Sequence, residues 1–210
     1  MSFTQGNPVL APDPRVPVDT VAGFSSRGPN INETTNEYIS VNKPDVTAPG
    51  IHVLAGASPQ FITEVNGETG QYGQQGQLFQ VIQGTSMSSP HVAGVGALLK
   101  ALHPDWTPSQ IRSALMSTAL TVGQKARTAA GDGPAGPFDL GAGRIDMNHA
   151  PRAGFVLDEN AAAFAAADPA ANGEPAALNL ASLTQADCVQ TCTWVRTLKS
   201  TQNVAVDWTI

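Results

Sequence analysis

Gly84-Thr85-Ser86-Met87-Ser88-Ser89-Pro90-His91-Val92-Ala93-Gly94 is the stretch on which the fold turns. Immediately before it, Phe79-Gln80-Val81-Ile82 has the β-branched and aromatic character of a strand leading to Gly84. Immediately after it, Val92, Val95, Leu98, Leu99 and Leu102 recur at three- and four-residue steps, which predicts a helix with one apolar face starting at or just after Ser86. Pro90 falls in about the first turn, where a helix tolerates proline. Gly94 and Gly96 lower helix propensity and predict close packing against another backbone. The helix should end near Leu102-His103-Pro104. A second begins with Thr107 as N-cap, Pro108 at the first position and Gln110 three residues on, with Ile111, Ala114, Leu115 and Thr118-Ala119 as its apolar positions.

A serine hydroxyl is a poor nucleophile until a base removes its proton and the backbone holds its oxygen at a reachable point. The strand–glycine–serine–helix order meets the second requirement. It also leaves amides at the helix N-terminus, the Ser86 N–H among them, free to meet negative charge developing on a carbonyl oxygen. Taken alone, a strand–Ser–helix junction is more simply a helix cap, and Thr85 or Ser88 would serve as well as Ser86. The longer string shifts that balance. Pro90-His91 directly behind a cap is unusual, and Ala93, Gly94 and Gly96 leave room on one side. The α/β-hydrolase elbow Gly-x-Ser-x-Gly is not matched, because position 88 is Ser.

Further out, the 210-residue chain is 41% hydrophobic and 13% charged, enough to bury a core in one large or two small domains. A net charge of -6 argues against nucleic acid or an anionic membrane surface as partner. No apolar run approaches the roughly 20 residues of a membrane span. The Met1–Pro8 segment lacks the basic and apolar regions of a signal peptide. Residues 1–20 form an irregular leader or the end of an upstream segment, and residues 57–78, with four Gly and five Gln, a long surface loop. Gly50-Ile51-His52-Val53-Leu54-Ala55-Gly56 predicts a buried strand, and 121–137 a loop. In 159–177 Ala dominates and Pro and Gly are expected to break any helix, which suggests a linker. From 178 to 210 the texture is strand-like, with Val204, Val206 and Trp208 alternating with polar or small residues. Cys188 and Cys192 are close enough for a small disulfide loop; a reduced buried pair is the alternative, and a zinc site lacks further ligands.

The string from Gly84 to Gly94 resembles the serine motif of subtilisin-like proteases (subtilases, peptidase family S8). Phe24-Ser25-Ser26-Arg27-Gly28-Pro29, Lys43-Pro44-Asp45-Val46-Thr47-Ala48-Pro49-Gly50, His103-Pro104-Asp105-Trp106-Thr107-Pro108 and Gly141-Ala142-Gly143-Arg144-Ile145-Asp146 resemble flanking segments of the larger members, in the same order. The resemblance covers 21–158. It implies the C-terminal part of an α/β catalytic domain, a three-layer sandwich with a mainly parallel sheet. After the 159–177 linker, 178–210 resembles the incomplete start of an all-β, fibronectin-III-like domain.

The resemblance makes Ser86 the nucleophile and its backbone N–H an oxyanion donor, with Gly84 and Thr85 supporting the loop. It implies a polypeptide substrate and an extracellular setting. Calcium sites are common among similar proteases, but no Asp/Asn cluster here has ligand spacing, so no metal and no cofactor are assigned. The family's Asp and His precede the serine in the chain. Here the only upstream histidine is His52, in a strand-like run, and Asp13, Asp19 and Asp45 lack the family's Asp-Ser/Thr-Gly context. No upstream Asn has the setting of an oxyanion side chain. His91 is expected to pack or hydrogen-bond, His103 to sit at a helix C-terminus and His149 on the surface. Two readings follow. One is a serine endopeptidase present without its Asp, His and oxyanion Asn, whose missing N-terminal half is its partner. The other is a catalytically inactive scaffold or binding module.

Overall fold

In the computed structural model, residues 19–32, 35–57 and 78–207 are described. The expected 57–78 loop and the 1–20 leader lie almost wholly outside them, as does Trp208.

Helix α1 spans Thr85–Leu102 and α2 spans Pro108–Ser117. The boundary of α2 is set as its sequence predicts. The Thr107 hydroxyl accepts from Gln110 N, the Gln110 side chain accepts from Thr107 N, and Pro108 opens the first turn. The two helices meet at a core of Leu99, Leu115 and Ala150, against which Val46, Val92, Val95, Ile111, Ile145 and Met147 pack. A second cluster joins Trp106, Ala114, Ala153 and Val156. Asp158 fastens the start of α2, accepting from Thr107 Oγ1 at 2.6 Å and Gln110 Nε2 at 2.8 Å.

The predicted apolar face of α1 is divided. Leu99 is fully buried, whereas Leu98 and Leu102 are 57% and 60% exposed. A Cβ added at Gly94 or Gly96 would meet no atom within 4 Å, so the expected close packing there is not found among the described residues. α1 lies with one side against α2, and no second described layer covers the side that carries its small residues.

Strand β1 (Thr20–Val21) pairs parallel with β4 (Lys125–Thr128), which pairs antiparallel with β5 (Gly131–Pro134). The 121–137 segment is therefore a hairpin rather than the predicted loop. Its ladder joins Lys125 to Pro134 and Thr128 to Gly131, and the Arg127 guanidinium meets Asp132 across it at 2.7 and 3.0 Å. This pairing uses Gly and Pro where strand propensity is low, so the local composition concealed it.

Strands β2 (Val53–Gly56) and β3 (Phe79–Ile82) are antiparallel, in register from Val53↔Ile82 to Gly56↔Phe79. The predicted burial of β2 is corrected: Leu54 is 69% exposed, beside exposed Val81 and Phe79. The paired residues Leu54 and Val81 share one face of the ribbon, and no described layer covers it. The described sheets are thus mixed rather than mainly parallel, because β5 returns on β4 through a tight hairpin and β3 returns on β2 antiparallel, leaving β1–β4 as the parallel pair among them.

Helix α3 (Pro137–Leu140) ends at Gly141. There φ is 64° and a Cβ would lie 2.2 Å from Pro44 O, so the chain needs glycine on both counts. Beyond it, β6 (Phe155–Val156) pairs antiparallel with β7 (Lys199–Ser200). Helix α4 (Ala161–Ala166) forms within the 159–177 segment, capped by Asn160 Oδ1 accepting from Ala163 N. The expectation that Pro and Gly would prevent any helix fails because the first of them, Pro169, comes after α4 ends. Ala167, Leu178 and Leu180 cluster against Val41 and Ala163. The half-buried Arg196 donates to Leu180 O and Ala176 O. Val204 and Val206 are exposed and outside any strand, contrary to their alternation.

Candidate functional site

The turn into α1 places the serine. Gly84 is the N-cap with φ 152° and ψ 166°, a conformation that costs a side-chain-bearing residue dearly and that lets β3 break sharply into the helix. Its carbonyl accepts from Met87 N at 3.0 Å and from Ser88 N at 3.4 Å, and its own amide donates to Gly50 O at 2.8 Å. Ser86 follows on the first turn with its side chain exposed. Among the described residues neither its hydroxyl nor its N–H has a hydrogen-bond partner. An exposed hydroxyl beside a free amide at the positive end of an 18-residue helix is suited to attack a carbonyl and hold the resulting oxyanion.

The neighbouring side chains do other work. Thr85 is exposed and lines the space beneath the turn, while Ser88 Oγ donates to Ala48 O at 2.9 Å. His91 Nδ1 lies 2.7 Å from Met87 O, so the ring donates backwards along its own helix. His52 stands immediately before β2, with φ 53° and exposed. His103 caps the C-terminus of α1, stacks on Trp106 at 3.8 Å between ring centroids, and reaches Pro151 O. His149 is 69% exposed at the side chain and holds Asp146 Oδ2 at 2.5 Å. That contact and the bond from Asn148 N to Asp146 Oδ1 hold the Asp146 carboxyl below its ordinary titration range. None of the four histidines is hydrogen-bonded to Ser86.

Behind the turn is a cavity of about 480 Å³. Its walls are mainly apolar, with Val21, Phe24, Val46 and Val92, and its polar end carries Gln124, Asp19 and Arg144; Ser86 does not line it. Arg144 Nε is 2.9 Å from Asp19 Oδ1, within ion-pair reach but outside hydrogen-bond geometry. Far from Ser86 in sequence, Cys188 and Cys192 are joined in a disulfide spanning four residues. Sequence reasoning missed the tie between the Ala48–Gly50 loop and the serine turn. The signal for it was present in Gly50, whose missing side chain leaves room for a close approach.

The subtilase family profile matches residues 15–143. The chain belongs to the subtilase family. Among curated relatives of this subtilase, the subtilisin-like protease SBT1.7 of Arabidopsis thaliana is 43% identical over 146 residues, covering 68% of this chain and 18% of the relative. The subtilisin-like protease SBT3 of Solanum lycopersicum is 38% identical over 146 residues, again 68% of this chain and 18% of the relative. The chain thus spans under a fifth of the length of these relatives. Among solved structures, fervidolysin from Fervidobacterium pennivorans, a keratinolytic enzyme related to subtilisin, shares 29% identity over 51% of this chain and 15% of its own, with a TM-score of 0.36. Membership places a subtilisin-like fold of mixed sheets and helices, and a serine-type protease family, on this subtilase. No described helix is long and apolar enough to cross a membrane.

Proposed function

We propose that this subtilase is the nucleophile-bearing part of a serine endopeptidase that cleaves polypeptides through an acyl-enzyme. Ser86 Oγ attacks the scissile carbonyl, its proton passing to a histidine that later returns a proton to the leaving amine. The Ser86 N–H donates to the tetrahedral oxyanion, while Gly84 and Thr85 shape the loop. The observation that carries this reading is the exposed Ser86 at the head of α1, with hydroxyl and amide both unpartnered among the described residues. A base, its orienting Asp and an oxyanion Asn are then supplied by protein outside these 210 residues. The open side of α1 and the cavity behind the turn give that part a surface to cover. Residues 178–210 would begin a fibronectin-III-like domain after the 159–177 linker. The disulfide and the protease family point to an oxidising, extracellular setting, and no nucleic-acid partner is proposed.

The test is a serine-reactive fluorophosphonate applied to the isolated chain. The expected result is no labelling of Ser86, since no histidine is positioned to take its proton. Stoichiometric labelling of Ser86 would show that a base lies within the chain, and labelling at another serine would displace Ser86 as the nucleophile. The second reading, an inactive scaffold, is favoured by the same missing base. It predicts that supplying the upstream part of the catalytic domain leaves Ser86 unlabelled.

A further inference from the structure

Four side-chain hydroxyls stand at the N-terminal end of α1: Thr85, Ser86, Ser88 and Ser89. Among the described residues only Ser88 has its hydroxyl in a hydrogen bond, and the acceptor is Ala48 O, 40 positions earlier. A helical serine ordinarily bonds back to its own preceding turn. Ser88 instead reaches into a separate loop. Two residues further along that loop, Gly50 O accepts from Gly84 N at 2.8 Å. The Ala48–Gly50 loop is therefore tied to the serine turn at two points, one two residues before Ser86 and one two residues after it. The approach is close: a Cβ at Gly50 would lie 2.2 Å from Ser88 Oγ and 2.8 Å from Gly84 O. Among the described residues Ser86 has no side-chain or amide anchor of its own, so there its placement depends on these flanking ties.

We infer that Ser88 is a positioning residue for Ser86, latching the nucleophile turn to the Ala48–Gly50 loop. The inference rests on Ser86 being the nucleophile, but the latch can be measured without any reaction. The second tie, Gly84 N–H to Gly50 O, reports on the first. The experiment is amide hydrogen exchange on the full 210-residue chain as wild type, Ser88→Ala and Ser88→Thr. Ser88→Ala should speed exchange of the Gly84 amide about fivefold, the factor matching about 1 kcal/mol for one hydrogen bond. The core amides of Leu99 and Leu115 should keep their wild-type rates, and Ser88→Thr, which retains the hydroxyl, should restore protection at Gly84. An unchanged Gly84 rate in Ser88→Ala overturns the latch. So does an equal rise at Leu99 and Leu115, which would mark general destabilisation, and so does a Ser88→Thr chain that behaves like Ser88→Ala. If Ser86 never reacts with a fluorophosphonate in any context, the proteolytic reading falls while the exchange result stands on its own.

Discussion

Replacing Gly50 with alanine should destabilise the serine turn by an amount that the geometry allows to be divided. Gly50 is not among the residues of positive φ, so its backbone accepts alanine, and the cost is one of space. The new Cβ would sit 2.2 Å from Ser88 Oγ and 2.8 Å from Gly84 O. The hydroxyl can rotate away, which forfeits its bond to Ala48 O and costs about 1 kcal/mol. The Gly84 carbonyl cannot rotate away, because it is backbone and already accepts from Met87 N and Ser88 N. Displacing it is overpacking, worth roughly 1–3 kcal/mol. The expected total is about 2–4 kcal/mol, read as a lowered urea midpoint at unchanged slope. A double-mutant cycle separates the two parts. In a Ser88→Ala background the hydroxyl has gone, so Gly50→Ala should cost about 1 kcal/mol less than in the wild type. A Gly50→Ala cost below about 0.5 kcal/mol, or one identical in both backgrounds, would mean that Ser88 and Gly84 do not crowd position 50.

Leu99, fully buried between α1, α2 and Ala150, should lose about 2–5 kcal/mol of stability on truncation to alanine, measured by chemical denaturation. The exposed Leu98 beside it should lose under about 0.5 kcal/mol in the same assay. The Asp146 carboxyl, held below its ordinary value by His149 and Asn148 N, binds a proton less readily folded than unfolded. It therefore contributes stability above the unfolded carboxyl value of about 3.9, and loses it as pH falls through the folded value. Denaturant midpoints taken from pH 5 down to pH 2.5 should fall more steeply in the wild type than in Asp146→Asn.

Several features were legible in the order of the amino acids because their causes are local. The Thr107-Pro108-Gln110 start of α2 depends on side chains reaching their own backbone within one turn, so four residues suffice to announce it. The strand–Gly84–Ser86–helix turn is likewise a matter of adjacent residues. The Cys188–Cys192 link needed only a short span. His91, His103 and His149 took the hydrogen-bonding, helix-terminal and surface places expected of them. The β4–β5 hairpin was not legible, since a pairing among Gly, Asp and Pro has no apolar alternation to reveal it. Nor was the exposure of Leu54 in β2 among the described residues, because an apolar run shows that a strand prefers burial, not which layer covers it.

What could be read from the sequence of this subtilase was the start of α2, the start of α1 to within one residue (Thr85 opens it and Gly84 caps it), and the protease family to which the chain belongs. Those are properties of contiguous residues, whose backbone preferences and motif chemistry are carried from one position to the next. That Ala48–Gly50 meets the serine turn through Ser88 and Gly84 became visible in three dimensions alone. The tertiary structure alone showed that, among the described residues, α1 packs on one side and is left open on the other. Contacts across 40 positions depend on how the intervening chain is routed, and no local pattern encodes that route.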